Sequence, residues 1–118
     1  MAGTSDIDVT GNFTTTNATL TGAADVNVKG NFTATNVTAK DNLVLTVAGN
    51  ATAQNLAVTK DLTAEVKNLD VTGKLDVDGN ATVNAGENIN ATTVEIAGTA
   101  DMDAVNATVG TLNISGNA

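Results

Sequence analysis

The sequence contains no cysteine, histidine, arginine, proline, tryptophan or tyrosine, and its only aromatic residues are Phe13 and Phe32. Without cysteine there are no disulfides, thiolate metal sites or thiol nucleophiles. Without cysteine or histidine, acid–base catalysis would need paired carboxylates held in a cleft. The near absence of aromatics rules out the usual bulky core and leaves small aliphatic side chains to build one, which suits a narrow solenoid. Five lysines against 13 acidic residues, a net charge of -8, give no basic footprint for nucleic acid. No apolar run approaches ~18 residues, so no membrane span is expected. The opening residues, Met1 to Val9, have neither the basic region nor the apolar core of a signal peptide. Either export takes another route or this is a piece of a longer protein.

What the chain does have is threonine (21) and asparagine (16), residues of strand surfaces and turns, set among alanine and valine. A low-aromatic, acidic chain also fits disorder. A disordered chain, however, has no reason to keep aliphatic residues in columns, and this one does. The pair Gly11-Asn12 returns as Gly30-Asn31 and again as Gly49-Asn50, at one constant interval. A fixed period of this size, ~19 residues, marks stacked coils. With Gly11, Gly30, Gly49, Gly79, Gly98 and Gly116 as anchors, the residues two before are Val9, Val28, Val47, Val77, Ile96 and Ile114. Those four before are Ile7, Val26, Leu45, Leu75, Val94 and Leu112, with a polar residue between each pair. That is the alternation of a strand with one buried face.

The fold class predicted is all-β: one parallel β-helix (β-solenoid) domain over 1–118, right-handed, with about six coils of ~19 residues. Each coil reads as three short strands joined by tight turns. Glycine at the anchor supplies positive φ, and a second turn falls at Asn17, Asn36 and Asn55, whose side chains would form a hydrogen-bonded ladder along the axis. Phe13 would stack on Phe32. The step from Gly49 to Gly79 is longer than one period and shorter than two, which predicts a short irregular coil at 63–73 and a compressed corner there. Lysines lie only between 29 and 74, so the segment after 75 carries acids alone and is expected to present a distinct acidic face.

Nine Asn-X-Ser/Thr sequons occur, at Asn12, Asn17, Asn31, Asn36, Asn50, Asn80, Asn90, Asn106 and Asn113. They are candidate glycosylation sites, although a repeated turn-plus-strand unit generates such triplets without selection for sugar. Thr14-X-Thr16 and Thr33-X-Thr35 share columns, continuing as Thr52-X-Gln54, Thr82-X-Asn84 and Asp101-X-Asp103. Pointing outward, Thr14, Thr16, Thr33, Thr35 and Thr52 are the candidate flat binding face, and ranks of this kind resemble those of insect ice-binding proteins; threonine as an ordinary β-surface residue is the alternative. The acidic pairs Asp6/Asp8, Asp76/Asp78 and Asp101/Asp103 supply two carboxylates each, too few for calcium. No catalytic set, metal site or cofactor site is found, so an enzyme is not expected.

The stretches Gly30-Asn-Phe-Thr-Ala-Thr-Asn-Val-Thr38 and Gly79-Asn-Ala-Thr-Val-Asn-Ala-Gly-Glu-Asn-Ile-Asn-Ala-Thr-Thr93 resemble repeats of filamentous haemagglutinin-type adhesins, nearest to the high-molecular-weight adhesins of the two-partner secretion pathway. The resemblance implies right-handed parallel β-helices, an extracellular or cell-surface location, and sugars on Asn-X-Ser/Thr in some members. Similar Val-Thr-Gly-Asn strings occur in phage tail fibres, and bactofilins, which polymerise end to end, are of similar size. The partner expected is a second copy, stacked head to tail on open coil ends, with a glycan or host surface the partner of a flat-face binder.

Overall fold

The structure is a computed structural model and describes residues 5–116. It has twelve strands, alternately short and long along the chain. The short strands are β1 (Ser5–Val9), β3 (Ala24–Val28), β5 (Leu43–Val47), β7 (Leu62–Val66), β9 (Ala81–Ala85) and β11 (Ala100–Asp103). The long ones are β2 (Phe13–Leu20), β4 (Phe32–Ala39), β6 (Asn50–Val58), β8 (Asn68–Val77), β10 (Asn88–Ile96) and β12 (Asn106–Ile114). The short strands make one six-stranded sheet and the long strands another, both parallel throughout. This is a parallel β-solenoid of six coils, one short and one long strand to each.

Two strands per coil replace the three expected, and the side-chain pattern explains why. In β4, Ala34 is buried, Thr35 exposed, Asn36 half-buried and Val37 buried again. Two successive residues face away from the core, so the inward phase flips and the strand turns a corner without losing its ladder. Pairing with β2 skips only Thr16 and Thr35. Each long strand therefore supplies two sides of a three-sided coil.

Along the short-strand sheet the coil length does not vary. Ser5, Ala24, Leu43, Leu62, Ala81 and Ala100 are in register and evenly spaced along the chain. The short coil expected at 63–73 is absent: these residues belong to β7 and β8 of a full-length coil. The six glycine anchors occupy two different corners. Gly30 N donates to Gly11 O, and Gly49 N to Gly30 O, at the corner after the short strand. Gly79 N instead donates to Lys60 O, Gly98 N to Gly79 O, and Gly116 N to Gly98 O, at the corner after the long strand. The Gly-Asn turn has moved from one corner to the other. Two irregularities remain: β12 pairs with β10 one residue short of the period along its whole length, and a second lies earlier. The step from Asn50 to Asn68, which open β6 and β8, falls one short of the period, and the register is recovered by a bulge opposite Ala53–Asn55. A Cβ on Gly73, within that bulge, would lie 2.5 Å from Gln54 O and 2.6 Å from Asn55 Oδ1, so only glycine fits.

All twelve aliphatic residues flanking the anchors lie in inward columns; Leu112, in the last coil, is in register with buried Val94 and yet 51 % exposed. They lie on two sides rather than one. Phe13 stacks on Phe32 at 5.4 Å between centroids and 3° between planes. Down that column Ala51, Leu69 and Ile89 follow, as small and large residues share the axis. An apolar cavity of about 30 Å³ remains near Leu20, Val26 and Ala51.

None of the six anchor glycines has positive φ, contrary to the expectation. Crowding against the preceding coil excludes a side chain at Gly30, Gly49, Gly79, Gly98 and Gly116. A Cβ on Gly49 would meet Gly30 O at 2.7 Å and also Asn31 Oδ1, because the coil below approaches there. At Gly11 the same position meets nothing within 4 Å. Gly49→Ala should therefore cost about 1–3 kcal/mol in urea unfolding, whereas Gly11→Ala should fall within about 0.5 kcal/mol of neutral. Equal losses at both positions would point back to backbone conformation.

Candidate functional site

A stacked coil has three lateral sides, three corners and two ends, and its functional residues are whatever those surfaces repeat. The corners are held by ladders of hydrogen bonds. At the corner entering the long strand, Asn31 N donates to Asn12 Oδ1 (2.8 Å), Asn50 N to Asn31 Oδ1 (2.9 Å), Asn68 Nδ2 to Asn50 Oδ1 (2.7 Å), Asn88 N to Asn68 Oδ1 (3.0 Å) and Asn106 Nδ2 to Asn88 Oδ1 (3.1 Å). At the mid-strand corner the ladder expected from spacing forms: Asn36 Nδ2 donates to Asn17 Oδ1 (2.9 Å) and Asn55 Nδ2 to Asn36 Oδ1 (3.0 Å). A third, not anticipated, runs Asn42, Asp61, Asn80, Thr99. Its even spacing is written in the sequence, but its members are of three residue types and do not stand out as a column.

These ladders bear on the sequons. Asn36 and Asn106 use Nδ2, the atom that would carry a sugar, as a donor, and Asn12, Asn17, Asn31, Asn50 and Asn80 use Oδ1 as an acceptor. Asn90 and Asn113 are exposed on strands outside the ladders.

The threonine side differs from the expectation. Thr14, Thr33 and Thr52 are in register, and the column continues through Asp70, Asn90 and Thr108. Thr82, Asn84, Asp101 and Asp103 sit on the short-strand sheet instead, a different side of the solenoid. The shift of the Gly-Asn corner carried the extrapolation onto the wrong side. The second column of this side runs Thr16, Thr35, Gln54, Thr72, Thr92 and Gly110, with Thr92 Oγ1 donating to Thr72 O at 2.8 Å. Asp70 is the one charged side chain facing out on this side among the described residues.

The acids after residue 75 do not share one face. Asp101 and Asp103 lie on the short-strand sheet, whereas Asp76, Asp78 and Glu95 line a hollow of about 310 Å³ with Asn113 and Ser115. Asp76 and Glu95 are stacked in register, and Lys74 bridges them at 3.8 Å and 2.6 Å. The hydrogen bond to Glu95, with the two carboxylate charges, holds the Lys74 ammonium above its ordinary value of 10.5. Asp6, Asp8, Asp25, Asp101 and Asp103 have no ion-pair partner among the described residues. Nor do the described residues include a group of three or more acidic, cysteine or histidine side chains placed to hold a metal, or a helix long and apolar enough to cross a membrane.

No family model, curated protein or solved structure matches the chain. The site is thus read from geometry alone, as a regular outer surface on a laddered scaffold. Removing a central rung tests what the ladder contributes. Asn36→Ala leaves Asn17 Oδ1 and Asn55 Nδ2 without a protein partner and should cost about 1 kcal/mol by chemical denaturation. Asn90→Ala, outside the ladders, should stay within about 0.5 kcal/mol of the parent.

Proposed function

We propose that this chain is a non-enzymatic structural protein, a solenoid segment that stacks end to end into a fibre. The observation that carries this reading is the condition of its ends. Among the described residues β1 and β2 pair only with β3 and β4, and β11 and β12 only with β9 and β10. Each end thus offers strand N–H and C=O groups beside a cross-section whose apolar residues are less covered than those of the middle coils: Leu112, in the column of buried Val94, is 51 % exposed, and Phe13, Ala18 and Val109 are only partly buried. An open strand edge of this kind is a template for another strand. Continuing the same register onto a second copy would set Ala107 over Phe13 and Leu112 over Ala18, small against large in both columns. The resemblance to two-partner secretion adhesins supports placing such a fibre outside the cell or at its surface. Phage tail fibres and bactofilin polymers are the other settings in which the same end-to-end architecture would serve.

A second reading, a binding module that recognises glycan, receptor or ice, is favoured by the threonine side. It extends over six coils with little charge, which is what a flat recognition surface needs. The two readings separate in one experiment. Electron microscopy of the purified chain should show fibres one solenoid wide, within its largest extent of 31 Å, with an axial repeat of about 4.8 Å in diffraction. A chain that stays strictly monomeric at high concentration, at low and at high salt alike, would sink the fibre. Substituting Thr14, Thr33 and Thr52 by lysine should leave the fibres intact. Loss of binding in glycan-array or ice-recrystallisation assays by that variant would favour the flat-face reading.

A further inference from the structure

Coil by coil, the charges are unevenly placed. Within the second and third coils (residues 24–61) acids and lysines balance, and all described ion pairs lie in the interior: Lys60–Asp41, Lys67–Glu87, Lys74–Asp76 and Lys74–Glu95. Where acid stacks on acid inside the solenoid, at Asp76 and Glu95, a lysine spans the two. The end coils have no such bridge. The first carries Asp6 and Asp8, the last Asp101 and Asp103, and neither contains a lysine. All four side chains point outward from the short-strand sheet, in two columns. Asp6 shares one with Asp25, Val44, Thr63, Thr82 and Asp101, and Asp8 the other with Asn27, Thr46, Glu65, Asn84 and Asp103.

End-to-end stacking in the same register therefore places Asp101 beside Asp6 of the next copy, and Asp103 beside Asp8. The spacing is one strand step, ~4.8 Å. Asp25 extends the first column to three carboxylates, while Thr82 and Asn84 on β9 offer no positive charge. The nearest lysine in sequence, Lys29, follows β3 at the neighbouring corner, and Lys67 is taken by Glu87. Apolar columns match across the junction and charged columns clash. We propose that these four aspartates gate the self-association of this chain: two copies join at their coil ends only when the repulsion among Asp6, Asp8, Asp101 and Asp103 is screened or removed. The inference rests on the fibre reading and adds its regulation.

Screening is the natural probe, because the range of repulsion between exposed charges falls from about 30 Å at 0.01 M salt to about 3 Å at 1 M. Sedimentation velocity and electron microscopy of the full chain in NaCl should show assembly rising with salt. The concentration needed for association should be at least ~10-fold lower at about 0.5 M than at about 0.01 M. The double variant Asp101→Asn, Asp103→Asn keeps side-chain size at exposed positions and should assemble at low salt, nearly independent of its level. Because salt also strengthens apolar association, this comparison at constant low salt is decisive. Asp6→Asn, Asp8→Asn repeats it from the opposite end, so a folding defect in one variant leaves the other to report, with circular dichroism checking both. Changing Asp101 and Asp103 to lysine should invert the dependence, since each lysine would then face an aspartate of the next copy. If parent and variants assemble equally at low salt, the gate is wrong and the fibre stands. If none assembles at any salt, the fibre reading falls and takes the gate with it.

Discussion

Stacking coil on coil in parallel register puts every residue about one strand spacing, ~4.8 Å, from its counterparts above and below. That constraint governs the whole molecule, because each column must consist of residues that can sit against their own kind. Aliphatic side chains can, and they fill the interior from Val26, Leu45 and Ala64 to Val83. Asparagine can as well, since its amide both donates and accepts, and it holds the corners. Carboxylates repel their own kind: Lys74 intervenes between Asp76 and Glu95, whereas Asp6 over Asp25 at the first coil is left unbridged. Glycine occurs where the neighbouring coil leaves no room for any side chain, as at Gly49.

Much of this was legible in the sequence because column membership is written as a spacing. The strand alternation, the inward aliphatic residues, the stacked Phe13 and Phe32 and the Asn17–Asn36–Asn55 ladder all follow from one constant step. What was not legible is which corner a Gly-Asn pair occupies. The strings preceding Gly11 and Gly79 carry the same local message, a strand ending in a tight turn, although one ends a short strand and the other a long one. Turn chemistry is local, whereas position in the coil is a count kept from the first residue to the last. Reading all six anchors as one corner produced both errors at once: a short coil at 63–73 and a threonine array extrapolated onto the acidic side.

The fourth coil shows which of the two constraints dominates. Its first turn is a single residue, Lys67, between β7 and β8, where the coil before has Ala48 and Gly49. A shorter turn would shift the rest of the coil by one residue and turn its buried side chains outward. The chain recovers the count within the same strand, with Thr72 and Gly73 together opposite Gln54, and the inward set resumes at Leu75 and Val77. In this coil the total length is conserved although its division among turns is not; the last coil makes no such recovery, and β12 stays one residue short of the period against β10.

The distribution of charge follows from the same geometry and makes the ends unlike the middle. Lys60, Lys67 and Lys74 each reach an acid in an adjacent coil, so neutralisation is a property of neighbouring coils and not of one coil by itself. An end coil has a neighbour on one side only, and among the described residues that neighbour pairs no lysine with its aspartates, which leaves another copy as the other source of a partner. Here both ends bear aspartates on the same side, so the copies do not supply it for each other. Charge on an exposed edge is a recognised means of discouraging indiscriminate strand pairing. In this solenoid it is superimposed on an apolar cross-section that favours the one in-register junction. Attraction and repulsion thus act at the same surface through different columns, and their balance is set by the solvent as much as by the chain.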